Sequence, residues 1–274
     1  MTAKPSLASV PLSTHAVGDL LRDWRQRRRM SQMDLALDAQ VSTRHLSFVE
    51  TGRAAPSRDM ILKLAECLDI PLRERNVLLV AGGFAPVFPE RRLDHPSVAA
   101  ARRAIDIVLA GHEPYPAVAL DRHWNLVAHN RAVAALLEGC APELLAPPIN
   151  MGRLSLHPDG IAPRILNLGE VRAHMLARLR RQIDLTADPQ LRALLDELSA
   201  YPVPLAQPHP RKGREADELF VPVRLMTSAG PLTLVSATTL FGTPVDVTLS
   251  ELAIETFLPG DAETAERLRK LASG

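Results

Sequence analysis

Apolar residues recur along the first third of the chain with helical spacing. In VGDLLRDWRQRRRM, Val17, Leu20, Leu21 and Trp24 fall at i, i+3, i+4 and i+7, one stripe of an α-helix. Arg25, Arg27, Arg28 and Arg29 follow at its far end, where cations complement the helix dipole. They read either as a solvated helix end or as contacts to a polyanion backbone, with solvation favoured. Ser31 with Asp34 three residues on predicts a capped second helix whose buried side is Leu35-Ala36-Leu37. Ser42 caps a third, with Leu46 and Val49 inward, Thr43, Arg44, Ser47 and Phe48 elsewhere, and Gly52 closing it in the left-handed conformation. Pro56-Ser57 open a fourth helix, which carries Ile61, Leu64, Ala65 and Leu68 on one face and is stopped by Pro71. A fifth, over residues 73–81, carries Val77, Leu78 and Val80 and ends at Gly82-Gly83.

Past residue 84 the periods mix. FAPVFPERRLDHP reads as a connection, and residues 98–109 as an amphipathic helix able to pack between domains. Short strands are expected over residues 117–120, 124–128, 219–227, 232–240 and 252–257, and helices from near Asn130, over 164–183 and 189–200, and from Ala262. YPVPLAQPHPRKGREAD, with four prolines and a glycine, reads as a loop. The pattern therefore predicts a multi-domain chain: a flexible tail over 1–14, an all-α five-helix domain over 15–83, a connecting segment and helix over 84–110, and an α+β domain with a small antiparallel sheet over 111–274.

A length of 274 residues suits two domains better than one. With 46% hydrophobic and 23% charged residues, a largely disordered, collagen-like or coiled-coil protein is excluded. Cys67 and Cys140, far apart, form neither a disulfide framework nor a paired metal site. The start of the chain lacks the apolar run of a secretory signal, and no stretch reaches the length of a membrane span, so a cytoplasmic protein without a membrane partner is expected. The net charge of +1 hides a polarity. Residues 1–92 hold 14 Lys and Arg against 10 Asp and Glu, and the remainder 18 against 21. A basic first part fits a polyanion partner.

Five short helices with a tight connection between the second and third form a helix-turn-helix pattern. SQMDLA, VSTRHLSFVETGRAAPS and ILKLAECLDIP resemble the DNA-binding domain of XRE-type, phage-repressor-like regulators, through Gln32, Leu35-Ala36, Ser42, Glu50-x-Gly52 and Pro56-Ser57. Gln40 stands where such turns usually hold glycine, so either it accepts a left-handed conformation at about 1 kcal/mol or the turn is shaped differently. The resemblance implies a double-stranded DNA operator as partner and a third helix that enters the major groove, whose base edges distinguish all four pairs. Ser42, Thr43, Arg44, Ser47 and Phe48 lie on or cap that helix. Arg44 would pair with a guanine edge or touch phosphate alone; Phe48 or the Thr43 methyl would rest on a thymine methyl. Gln32 and Arg53 read as phosphate contacts. A homodimer is expected, since one unit reads only a half-site.

Further on, HEPYPAVALDRHWNLVAHNRA, NMGRLSLHPDG, RAHMLARLRRQI and LVSATTLFGTPVDVTLSELAIETFLPGD resemble the ligand-binding domain of MmyB-like transcription regulators, which is similar to a PAS fold. That resemblance implies a small hydrophobic ligand, a fatty acid or similar acyl chain being one class. Trp124 and Asn130 mark a strand-to-helix turn, and Asn150 and His157 come from the next loop. For a carboxylate, Arg164, His174 and Arg178 are candidate anchors roughly on one helical face; otherwise Trp124 is core and the arginines are exposed. No catalytic motif is present, the nine histidines lack metal-ligand spacing, and no cofactor, metal or reaction is expected. Two other classes are left open: a DNA-binding regulator whose second domain is a protein-interaction or dimerisation module without a small-molecule ligand, and an enzyme of unknown type, which the absence of a catalytic constellation disfavours.

Overall fold

A computed structural model of the protein describes residues 16–202, 221–240 and 246–273. The chain divides into two compact units, Met1–Glu90 and Arg91–Gly274. The Pro-rich stretch lies almost wholly outside the described residues, as does the expected tail.

The first unit holds α1 (Val17–Arg27), α2 (Gln32–Asp38), α3 (Thr43–Glu50), α4 (Arg58–Cys67) and α5 (Leu72–Ala81). Ser31, Ser42 and Ser57 each accept a backbone N–H as N-caps, and Ser31 with Asp34 closes a full capping box. All five helices end alike. Arg29, Gln40, Gly52, Asp69 and Gly83 have positive φ, and the next residue donates back to a carbonyl five positions earlier, as in Met30 to Arg25 and Ile70 to Ala65. This is the Schellman closure, which satisfies carbonyls that a helix end would leave orphaned. Gln40, at φ 51°, accepts the left-handed conformation its position demands.

Leu21, Trp24, Leu35, Leu46, Val49, Ile61, Leu64 and Leu78 form the core of this unit. Two expectations are corrected here. Leu37 is 77% exposed, because α2 spans only two turns and its buried stripe is Leu35-Ala36 with Ala39 beyond. On α5 the inward pair is Leu78 and Leu79, and Val80 is exposed. Gly18 sits where α1 passes the end of α3; a Cβ there would lie 2.2 Å from the Val49 carbonyl oxygen.

The second unit is α+β. Its elements are α6 (Ala99–Gly111), β1 (Ala117–Leu120), β2 (Leu126–His129), α7 (Ala134–Leu137), α8 (Met151–Leu156), α9 (Leu168–Thr186), α10 (Pro189–Ala200), β3 (Val223–Thr227), β4 (Gly230–Leu240), α11 (Val247–Ser250), β5 (Ala253–Pro259) and α12 (Ala262–Ser273). The strands form one antiparallel sheet in the order β2-β1-β5-β4-β3, with β5 at its centre between β1 and β4.

Alternation along the central strands divides the sheet into two faces. Ala117, Ala119 and Ile254 pack against Ile105 and Leu109 of α6. Helix α6 therefore contributes to this unit's own core. Val118, Leu120, Leu225, Leu234 and Phe257 face the other way, toward α7, α8 and α9. Covered on both sides, β1 is buried along its whole length, which is why AVAL carries no polar residue.

Candidate functional site

On the first unit, α3 presents Ser42, Thr43 and Arg44 to solvent, while Leu46 and Val49 hold it to the core. Ser42 Oγ is committed to capping, accepting the His45 N–H at 3.1 Å. Phe48 is half-buried, with the Arg44 and Arg53 guanidinium carbons 5.4 and 6.0 Å from its ring centroid. The ring is thus a platform that two cations share, favourable because the aromatic face is electron-rich. It gathers two exposed positive groups from both ends of α3. Ser47 is half-buried and its carbonyl accepts from Thr51 Oγ1.

Beneath that surface lies a charge network. Glu50, the last residue of α3, has a fully buried side chain that Arg25 engages with two hydrogen bonds, Nε to Oε1 at 2.7 Å and Nη2 to Oε2 at 2.9 Å. Gln32 Nε2 donates to the same carboxylate at 2.8 Å, and Arg22 donates to the Glu50 carbonyl. Burial alone would push the Glu50 carboxyl up; the bonds from Arg25 and Gln32, with the charges of Arg25 and Arg22, outweigh it and hold the pKa below the usual value. Arg28 also turns inward, donating to the carbonyls of Leu68 and Asp69. Solvation of the Arg25–Arg29 cluster is therefore corrected for Arg25 and Arg28: tertiary partners, invisible to local spacing, claim both.

The second unit encloses a cavity of about 120 Å³ between the inner face of the sheet and helices α7 to α9. Its wall is aliphatic and aromatic, with few polar groups. Trp124 is one side of it. This residue takes φ 68° in the β1–β2 turn, a conformation rare for a bulky side chain. The turn is held by Asp121 Oδ1, which accepts the N–H groups of His123 and Asn125, and the indole Nε1 donates to Gln182 Oε1 at 2.8 Å. Arg178 lies over the indole, 5.2 Å from the ring centroid, and its Nη1 is 3.2 Å from both carboxylate oxygens of Glu255. His174, one turn earlier on α9, also lines the cavity while remaining exposed. Partial desolvation, then the positive Arg181 and Arg178, lower its pKa below the ordinary histidine value.

Of the seven residues singled out for a ligand, Trp124, His174 and Arg178 meet at this cavity. The other four have structural partners elsewhere. Asn130 is buried and ties Ala117 N–H to the carbonyls of Leu109 and Tyr115. Asn150 caps α8 and holds the His123 carbonyl. His157 packs edge-on against Tyr201. Arg164 sits on a 3₁₀ turn before α9 and donates to the Leu136 carbonyl at 2.5 Å, so the shared helical face expected for Arg164, His174 and Arg178 exists only for the last two. Glu255 was missed. Its signal is an acidic residue in the same inward register of β5 as Phe257.

The profile of the MmyB-like transcription regulator ligand binding domain matches residues 101–271, well over half of the chain. The protein belongs to this family. A helix-turn-helix domain profile matches residues 16–78. The MmyB-like protein is also 38% identical over 117 residues to a Methanoculleus marisnigri protein described, by inference, as an HTH-type transcriptional regulatory protein; the match covers 41% of this chain and 37% of that one. Among solved structures, an RNA-binding light-oxygen-voltage receptor aligns with 100% of this chain and 70% of its own, at 14% identity and a TM-score of 0.26, too low to carry any argument. The chain thus carries a helix-turn-helix domain joined to a MmyB-like ligand-binding domain. Among the described residues, no helix is long and apolar enough to cross a membrane and no group of three His, Cys, Asp or Glu could hold a metal ion.

Proposed function

We propose that this MmyB-like regulator binds its operator as a cytoplasmic homodimer through α3, and that its second domain takes up a small hydrophobic ligand that alters operator affinity. In this reading Arg44 pairs with a guanine edge, Thr43 lies against a neighbouring base, and Arg53 and Gln32 meet phosphates. Gln32 would do so with what its bond to Glu50 leaves free.

The observation that carries the sensor reading is the apolar cavity beside Trp124 with an ion pair and a histidine grouped at one wall. Sites for small molecules have this composition, an apolar interior with few placed polar groups. An engineered apolar cavity of about 150 Å³ accommodates benzene, so the present void suits a short acyl or aromatic unit. Longer chains would need the flexible Met151 and Met175 to move.

A ligand that binds only the native state raises stability by about 2.7 kcal/mol at 100 times its dissociation constant. Melting temperature in a series of acyl compounds, mass spectrometry of what co-purifies, and operator affinity with the best compound test the reading. A compound that raises melting without changing operator affinity leaves a ligand-binding domain with no regulatory output, since equal affinity for two arrangements shifts neither. If no compound has any effect, the domain is better read as a partner-binding module.

A further inference from the structure

The cavity's polar wall is already neutral. Arg178 enters it with its charge matched by both oxygens of Glu255, on the facing strand β5. The only other titratable lining residue among those described is His174, whose pKa is lowered. Arg181 acts on that histidine from the same helix, and the lining positions of α7, α8, β1, β3 and β4 carry no ionisable group. Val118 of β1 and Thr238 of β4, which flank Glu255 in the sheet, add no charge.

A carboxylate bound to Arg178 would have to share it with Glu255, placing two anions on one cation beside an apolar void, where like charges repel strongly. An uncharged headgroup that both accepts and donates meets no such penalty. Its carbonyl oxygen can take a hydrogen bond from Arg178 while its N–H or O–H donates to Glu255, so that both ions stay hydrogen-bonded.

Resting on the ligand-sensing reading above, we infer that the Arg178–Glu255 pair selects acyl compounds in uncharged form, as amides or as protonated acids, over carboxylate anions. A carboxylic acid then binds with one proton taken up from solution. Since such a group titrates near pH 4–5, the form that binds is on the order of one part in a few hundred at pH 7. Affinity for the acid falls about tenfold for each pH unit above neutrality, and affinity for the amide stays level.

Calorimetry of the full chain with hexanamide and hexanoate, at pH 7, 8 and 9, tests this. Hexanamide is expected to bind roughly a hundredfold tighter at pH 7, with the gap widening tenfold per unit. Protonation of His174 cannot imitate that slope, because a histidine with a lowered pKa is already neutral across this range and its effect has levelled off. Glu255→Gln leaves Arg178 unmatched and should reverse the order, giving hexanoate the advantage with no slope between pH 7 and 9. Hexanoate binding evenly across pH 7–9 and tighter than hexanamide overturns the inference yet leaves the sensor reading standing. If neither compound binds the wild type or the variant, both fall.

Discussion

Arg25 of α1 and Glu50 at the end of α3 are joined by two hydrogen bonds of 2.7 and 2.9 Å, although 25 residues separate them. A carboxylate at a helix C-terminus is disfavoured by the helix dipole and by burial. Arg25, with Gln32 and Arg22, reverses both and moors α3, the helix proposed to read DNA. The XRE-like Glu50-x-Gly52 motif thus has a mechanical content: the glutamate anchors α3, and the glycine, at φ 71°, closes it.

Removing one partner of a buried pair leaves the other charge stranded, so Arg25→Ala should destabilise the first unit by about 3–5 kcal/mol in urea unfolding. A loss below 1 kcal/mol would show that water reaches Glu50. Because the Glu50 pKa is lowered on folding, its stabilisation is complete above the unfolded value and disappears as pH falls through the folded one. Unfolding midpoints of the wild type should therefore drop toward those of Arg25→Ala below about pH 4.5.

Gly18→Ala puts a methyl group 2.2 Å from the Val49 carbonyl, and backbone must yield. Overpacking of this kind costs about 1–3 kcal/mol. Gly52→Ala is the control: nothing lies within 4 Å of the added carbon, so its cost is the left-handed backbone alone. Equal stability of Gly18→Ala and wild type would contradict the close approach of α1 and α3.

Arg44→Ala should lower operator affinity by roughly 1–3 kcal/mol and relax preference at one base pair, whereas Arg53→Ala should weaken all sequences alike and reduce the log–log salt slope by about 1. Phe48→Ala removes the platform under both guanidiniums and should therefore produce a mixture of the two effects. Binding titrations against operator and random duplex at several salt concentrations separate them. An even loss from Arg44→Ala across sequences assigns that residue to phosphate.

His174 has a folded pKa below its unfolded one, so the unfolded chain binds more protons between the two values. Stability therefore rises with pH across that window, which lies at and below about pH 6.5, and the penalty is complete beneath it. His174→Gln should flatten the acid side of the stability profile and leave the region above pH 7.5 unchanged. Melting curves from pH 5 to 8 read this directly, and an unaltered slope in the variant would place the titration on another group.

Local information decided the helix-turn-helix unit. Serine caps, a four-residue apolar rhythm and left-handed closures act within one or two turns, so α1 to α5 could be read from neighbouring residues alone. The strands of the second unit were also readable, since period-two alternation and the turn before Pro231 are local. What failed was partner choice at a distance. Four arginines in five positions look alike in sequence, yet Arg25 finds Glu50 and Arg28 finds the carbonyls before α5, while Arg29 remains exposed. Leu37 and Val80 fit an apolar stripe but face solvent, because the neighbours that would cover them are supplied by the packing angle of other helices.

The candidate ligand site divides the same way. Sequence by itself determined that His174 and Arg178 share a face of α9, four residues apart; it put Trp124 in the second strand and at a strand-to-helix turn, whereas the residue sits in the β1–β2 turn at φ 68°. Only the tertiary structure decided that Glu255 stands opposite Arg178, 77 residues later, and that Arg164, Asn130 and Asn150 spend their polar groups on backbone carbonyls. A charge meets its counter-charge through the closing of the sheet against α9, and no short-range pattern encodes the register in which β5 lies beside β1.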